Sequence, residues 1–447
     1  MDQANVKLSL REKLSYGASD CAYNLIFNVV TMYLMFYYTD VVGISLASVG
    51  MLFLAVRILD AVAGPLIGAL IDKTHTKWGK VRPWFLWFAF PFALIGVMTF
   101  AVPGFGGVAQ MVYIYITYIL MNFVAVAVTT PVTAILPNLT TNTQERVNAG
   151  AFRNIGGQVG VILSGALTLP LVNLLGRGDQ RLGFTLTMIV YGVICAALLL
   201  MTFANTRERV VTPKEQEPPL LDSLRAMVRN RPWWILTILN FVIFIGIVVK
   251  SSSIVYFFKY NLNNEMMSSL ANTVNSAGMI VGMVLVPVIA RYVKKRNIAI
   301  LFFLISIVGS VLLYLGERML SIPFILFAIA ITAFSQAGQS MVFVMLADVV
   351  DYGEWRTGVR SQGLITSCAA IGTTCGAGIA GWLGTFILDA NGFVANQVQT
   401  SSALGAITFD FVWLPAICSA IGIVLMAMYK VDDHIDEIRE DLAARQR

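Results

Sequence analysis

The sequence predicts an all-α integral membrane protein with twelve transmembrane helices in two pseudo-symmetric six-helix bundles. Three observations carry this reading: the apolar share, the rhythm of polar breaks, and the one-sided distribution of positive charge. Of 447 residues, 57% are hydrophobic and 13% charged, outside the range of water-soluble globular domains. A helix needs about 20 apolar residues to cross the hydrocarbon core, so this length suffices for roughly a dozen crossings. The net charge of +6 is no nucleic-acid signature, because the positives follow the loops rather than gathering on one face.

Apolar runs place helices at 16–38, 47–71, 83–102, 111–136, 151–175, 183–204, 233–260, 266–292, 298–316, 322–348, 362–388 and 409–429. Each must be helical, because in lipid the backbone has to satisfy its hydrogen bonds within the segment. The N-terminus is too polar, and the first run too long, for a cleaved signal peptide. With that terminus inside, 24 of the 31 Lys and Arg fall in cytoplasmic segments and four (Arg177, Arg181, Lys259, Arg318) fall outside. Both termini are therefore expected in the cytoplasm.

The stretch 205–232, with prolines and mixed charge, separates a first bundle (1–204) from a second (233–429) and a cytoplasmic tail (430–447). A short amphipathic piece is expected at 220–228. The halves echo one another: DKTHTKWGKVR and RYVKKRN follow the second helix of each, and AILPNL and MLADVVDYGEWR close the fourth. Two such halves around a central cavity form a transporter architecture, with substrate held near the midplane.

Polar groups inside the membrane are the candidate site. Asp20, Asn24 and Asn28 recur every four residues on helix 1 and share a face. The plainer readings are a carboxylate at a helix N-terminus and interhelical amide bonds. Arg57 and Asp60 are three apart on helix 2, either as a structural pair or with Asp60 as a carboxylate that exchanges a proton. Thr129 and Thr133 on helix 4, Gln339 on helix 10 and Thr373 and Thr374 on helix 11 suit a polyhydroxylated ligand, with helix packing as the alternative, whereas Lys250, in the middle of helix 7, is too deep to snorkel and is either a cavity group or the partner of a carboxylate. Arg153 either snorkels or offers a guanidinium fork, and Tyr23 can stack on a sugar ring or pack in the core. Cys21, Cys195, Cys368, Cys375 and Cys418 are scattered through apolar runs and read as small hydrophobes. No metal site and no cofactor are expected. A polytopic membrane enzyme would need a catalytic constellation, and neither HExxH, GxSxG nor a Walker motif occurs.

YTDVVG, RILDA, GPLIGALIDKTHTKWGKVRPW and ADVVDYGEWRTGVRSQG resemble the glycoside-pentoside-hexuronide:cation symporters, the melibiose permease-like branch of the major facilitator superfamily. The resemblance spans nearly the whole chain. It implies the major facilitator fold, alternating access, a small-molecule sugar substrate, a monomer among membrane lipids and a bacterial inner-membrane location. It also implies a coupling cation. Asp60 matches the first cation-binding aspartate of the melibiose type, but its second is Gly64 here, the preceding asparagine is Ala63, and a helix 4 threonine falls at about Val126. A lone carboxylate favours H+ over Na+, with sodium at Asp60 or uncoupled uniport as alternatives. On the sugar side, the type's acidic residues become Asn24 and Thr129, its tryptophans Thr133 and Gln339, and its helix 11 lysine Thr374. Arg153 and Lys250 keep basic character, so an anionic sugar, a uronide or sulfonated sugar, is expected. Lys77, Lys80 and Arg82 are expected to form a cytoplasmic gate with Asp348, Asp351 and Glu354, unless the basic loop only sets topology.

Overall fold

The computed structural model describes residues 7–104, 106–140, 142–209, 228, 230–290, 292–357 and 362–445. The amphipathic piece expected at 220–228 lies outside them, apart from residue 228. Packing divides the chain into two units: Met1–Pro213 with Met266–Thr273, and Lys214–Glu265 with Val274–Arg447.

The first unit holds α1 (Leu10–Phe36), α2 (Leu46–Lys73), α3 (Arg82–Phe100), α4 (Gly107–Ala134), the short α5 (Leu136–Leu139), α6 (Thr143–Gly176) and α7 (Gln180–Asn205). The second holds α8 (Arg231–Tyr256), most of α9 (Met267–Ile289), α10 (Lys295–Arg318), α11 (Ile322–Gln336), α12 (Gln339–Thr357), α13 (Gln362–Ala390), α14 (Ser401–Thr408), α15 (Leu414–Met428) and α16 (Ile435–Arg445). Among the described residues, eight helical stretches are long and apolar enough to cross a membrane. Every one of the twelve expected segments has a helical counterpart.

Differences lie at the ends and in one interior. α1 begins at Leu10 rather than residue 16, because Ser9 and Glu12 close a capping box that tolerates the polar first turns. α6 begins at Thr143, eight residues before the apolar run, with the Asn142 side chain accepting from the Glu145 N–H. The tenth segment is broken into α11 and α12 at Gly338. A Cβ there would lie 2.5 Å from that of Phe302. The twelfth begins at Ser401, capped by Thr400, and passes through a π-helical turn, Phe409–Trp413, between α14 and α15. Two further π turns, Tyr37–Val41 and Phe257–Asn261, end α1 and α8, the first helix of each half.

Glycine sets the tightest helix pairs. α1 lies against α6, where Cβ atoms on Gly156 and Gly160 would strike the carbonyls of Gly17 and Cys21. α8 lies against α13 in the same way, with Gly372 and Gly376 facing the carbonyls of Thr237 and Phe241. Small residues four apart let backbones touch where lipid supplies no hydrophobic drive. The first and fifth helices of each half are thus paired by one device.

Candidate functional site

In the first unit the polar row of α1 runs along α6. Gly157 makes room for it: a Cβ there would strike the Asp20 carboxylate and come within 3.2 Å of the Asn24 amide nitrogen. Arg153, one turn earlier on α6, lies beside Tyr16 and acts through space on Asp20. Its Nε is buried without a hydrogen-bond partner, as is Oε1 of Gln158. Arg153 thus places a positive charge near Asp20, beside polar atoms that have no partner. Asn28 is committed elsewhere, donating to Ser164 Oγ at 2.7 Å, and is an interhelical tie. Asn24 donates to the Asp20 carbonyl at 2.9 Å. Thr129 and Thr133 donate to carbonyls of their own helix, which leaves their oxygens as acceptors. Tyr23 stacks on Phe27, with ring centroids 5.0 Å apart. The helix carrying Arg57 and Asp60 is described, but both side chains lie outside the described residues.

In the second unit, Lys250 heads a polar pocket of about 50 Å³, room for a few waters. Its ammonium donates to Thr332 Oγ1 at 2.6 Å, and Thr332 and Ser335 pass their own protons to α11 carbonyls. Ser306, Gln336 and Gln339 share the lining. Gln336 reaches Asn275 at 3.4 Å, while Gln339 keeps a buried Nε2 without a partner. Among the described residues no carboxylate forms an ion pair with Lys250. Its other neighbour is the Phe411 ring, with the nitrogen 5.7 Å from the centroid, an attraction to the ring face. Thr373 and Thr374 lie on α13 and do not line this pocket. Tyr256 and Phe257 are fully buried and pack on Phe393 and Phe411, so they belong to the core.

The structure adds residues that the sequence reading passed over. Thr332 and Ser306 sit in apolar runs without a periodic signal. Glu208 follows the sixth segment and holds the basic loop of the first unit: its carboxylate accepts the backbone N–H groups of Lys80, Val81 and Arg82 at 3.1, 2.8 and 2.8 Å. Gly79, at φ +110°, is required both by its backbone and by space, since a Cβ would lie 2.5 Å from Glu208 Oε1. Arg82 donates to the Phe203 carbonyl at 2.7 Å, while Lys77 and Lys80 are exposed.

The second unit repeats this arrangement. Asp432 accepts the Arg296 N–H at 3.0 Å, and Asp433 pairs with Lys294 and Arg296 at 2.9 and 2.7 Å. Asp348 is buried against Lys295 at 2.5 Å. The pairing with Lys294 and Arg296 holds the Asp433 carboxyl below its usual range, with the Lys294 hydrogen bond as the main cause. Glu145 is likewise lowered, chiefly by its hydrogen bond to Lys13, which lies 2.8 Å away. Asp351 and Glu354 are half-buried on α12.

Apolar helices long enough to cross a membrane, glycine-paired and with a polar pocket at Lys250, define a multi-pass membrane protein. The chain belongs to the MFS/sugar transport protein family, whose profile matches residues 15–433, in its glycoside-pentoside-hexuronide:cation branch. It is 40% identical to the isoprimeverose transporter of Lactiplantibacillus pentosus, over 96% of this chain and 91% of that one. The inner membrane symporter YicJ of Escherichia coli (strain K12) is 30% identical, over 98% and 96%. The glucuronide carrier protein homolog of the same organism is 30% identical, over 96% and 94%. Among solved structures, a bacterial homolog of the human lysosomal transporter Spinster, inward-facing and occupied, superposes with TM-score 0.67 at 14% identity, over 95% of this chain and 96% of that one. The nucleoside transporter NupG gives 0.60 at 15%, over 95% and 99%. These distant structures share the fold. The protein is a transporter and not an enzyme.

Proposed function

We propose that the protein is a sugar:proton symporter of a bacterial inner membrane, with both termini cytoplasmic, importing a pentose-containing disaccharide of the isoprimeverose type by alternating access. The relative called an isoprimeverose transporter, 40% identical along almost the full length, carries the substrate class. The polar pocket at Lys250, lined by Thr332, Gln336 and Gln339, supports it with donors and acceptors suited to sugar hydroxyls. Asn24, Thr129 and Arg153 would serve the same role in the first unit, with Asp20 holding Arg153 in place. Asp60, with Arg57, is the group to which the family resemblance ascribes the coupling ion. Lys77, Lys80, Arg82, Asp348, Asp351 and Glu354 would exchange partners as the cytoplasmic side opens and shuts.

Uptake of isoprimeverose into proteoliposomes, with and without an imposed proton or sodium gradient, tests the reading. Accumulation driven by protons alone is expected. Accumulation that requires sodium overturns the ion, and downhill flux unaffected by either gradient means a uniporter. Lys250→Met should weaken binding about tenfold or more, as expected when a hydrogen bond from a charged donor is lost, read as a smaller thermal stabilisation by the sugar.

A second substrate reading, an anionic sugar, is favoured by the Lys250 ammonium, which has no carboxylate partner among the described residues. If glucuronides fail to compete, and a neutral glycoside still binds tightly to Lys250→Ala, that reading is wrong.

A further inference from the structure

We propose that Asp410, in the π turn of the last membrane segment, is a proton-carrying carboxylic acid of the transport cycle, a site additional to the aspartate of helix 2. Its residue is 0% exposed, and neither Oδ1 nor Oδ2 has a hydrogen-bond partner. A buried carboxylate with neither donor nor counter-ion is among the costliest states a protein can hold. Binding a proton removes that cost.

The surroundings fit a neutral acid better than a metal cation. A Cβ added to Gly384 would lie 3.7 Å from Asp410 Oδ2 and 3.6 and 3.9 Å from the Val249 methyls, so the carboxyl shares its space with apolar groups. A hard cation wants several oxygen ligands at once, and among the described residues no group of three or more Asp, Glu, His or Cys gathers here. The backbone adds a second observation. Phe409–Trp413 is a π turn between two α-helical stretches, an irregularity of the helical hydrogen-bond ladder that is frequent at functional sites.

The titratable groups around the turn come from each element packed on it. From α8, Lys250 lies over the Phe411 ring. From α10, Tyr314 packs on Trp413 with centroids 5.2 Å apart, and Glu317 is held by Asn261 and Thr408 at 2.7 and 2.6 Å. The π turn Phe257–Asn261, whose Phe257 ring stacks on Phe411 with centroids 4.5 Å apart, carries Lys259 and Tyr260; α15 brings Cys418, α14 brings none, and α13 approaches through Gly384. Lys250 is thus the buried cation of this neighbourhood. When the acid's O–H bond breaks, the proton passes to water and leaves a carboxylate that no ion pair among the described residues offsets, so release waits on water entering the site. Lys250, lying over the ring of the adjacent Phe411, is the point at which bound sugar acts on the turn that carries Asp410. The coupling to sugar rests on the symport reading above, whereas the protonation itself does not.

Two measurements on the reconstituted full chain decide it. Infrared spectra of the protein without sugar should show a protonated-carboxyl C=O band at neutral pH that disappears in Asp410→Asn. A band unchanged by the substitution overturns the proposal, whatever the substrate is. With isoprimeverose as probe in weakly buffered proteoliposomes, the wild type should alkalinise the medium on sugar addition. Asp410→Asn should take up fewer protons per sugar and keep sugar counterflow. An undiminished proton-to-sugar ratio in the variant overturns the proposal. A wild type that moves no isoprimeverose overturns the substrate reading and leaves the infrared result to decide Asp410. The amide mimics the neutral acid, so failure of Asp410→Asn to fold also counts against it.

Discussion

Gly157 shows how a residue without a side chain can shape a polar row. It gives Asp20 and Asn24 their place against α6, and no polar scan of the sequence would select it. Gly157→Val should displace both side chains and lower sugar affinity about tenfold, equivalent to 1.4 kcal/mol, measured as a shift in the half-saturating isoprimeverose concentration with expression unchanged. Full affinity would mean that the Asp20 row is structural. Lys250 was legible from the sequence because a lysine in the middle of an apolar run has few innocuous explanations. Its partner Thr332 lies 82 positions away and had no signal. Asp410 was hidden differently: the apolar run was read from residue 409, so the carboxylate passed as an edge residue. The helix actually starts at Ser401, which places Asp410 well inside.

At the scale of elements, apolar length and positive charge made the helices readable, because lipid leaves the backbone no alternative to helix. They did not reveal how loops are fastened. The WGKVRPW loop reads as a topology signal, yet its backbone is gathered by Glu208, from a stretch that sequence alone marks as linker. Gly79→Ala should cost about 1–3 kcal/mol through backbone strain at positive φ, with the clash against Glu208 adding to it. A lowered unfolding temperature in detergent would register this, and an unchanged one would mean the loop is not held. Glu208→Gln keeps the size of the side chain but weakens three charge-assisted bonds, so a smaller loss is expected. Asp351→Lys probes the gate: accessibility of a cysteine probe on the cytoplasmic side should rise, and no change would count against a gating role.

For the whole molecule, stability should follow the carboxylates at the helix ends as pH falls. Glu145 and Asp433 both titrate below their ordinary values of 4.5 and 3.8 in the folded state. Such groups contribute stability that is complete above the unfolded value and is lost as pH drops through the folded one. Unfolding temperature should therefore be flat near neutrality and fall below about pH 4.5, with a shallower fall in a Glu145→Gln, Asp433→Asn double variant. An identical slope in that variant would assign the acid sensitivity elsewhere. The clamps on the two basic loops are built alike. A carboxylate just past the sixth helix ties down the loop after the second, as Glu208 does, and carboxylates just past the twelfth do the same for the loop after the eighth, as Asp432 and Asp433 do. The two halves therefore share a latch as well as a helix order, while their membrane-embedded polar groups differ: Asp20 and Arg153 in the first, Lys250 and Asp410 in the second.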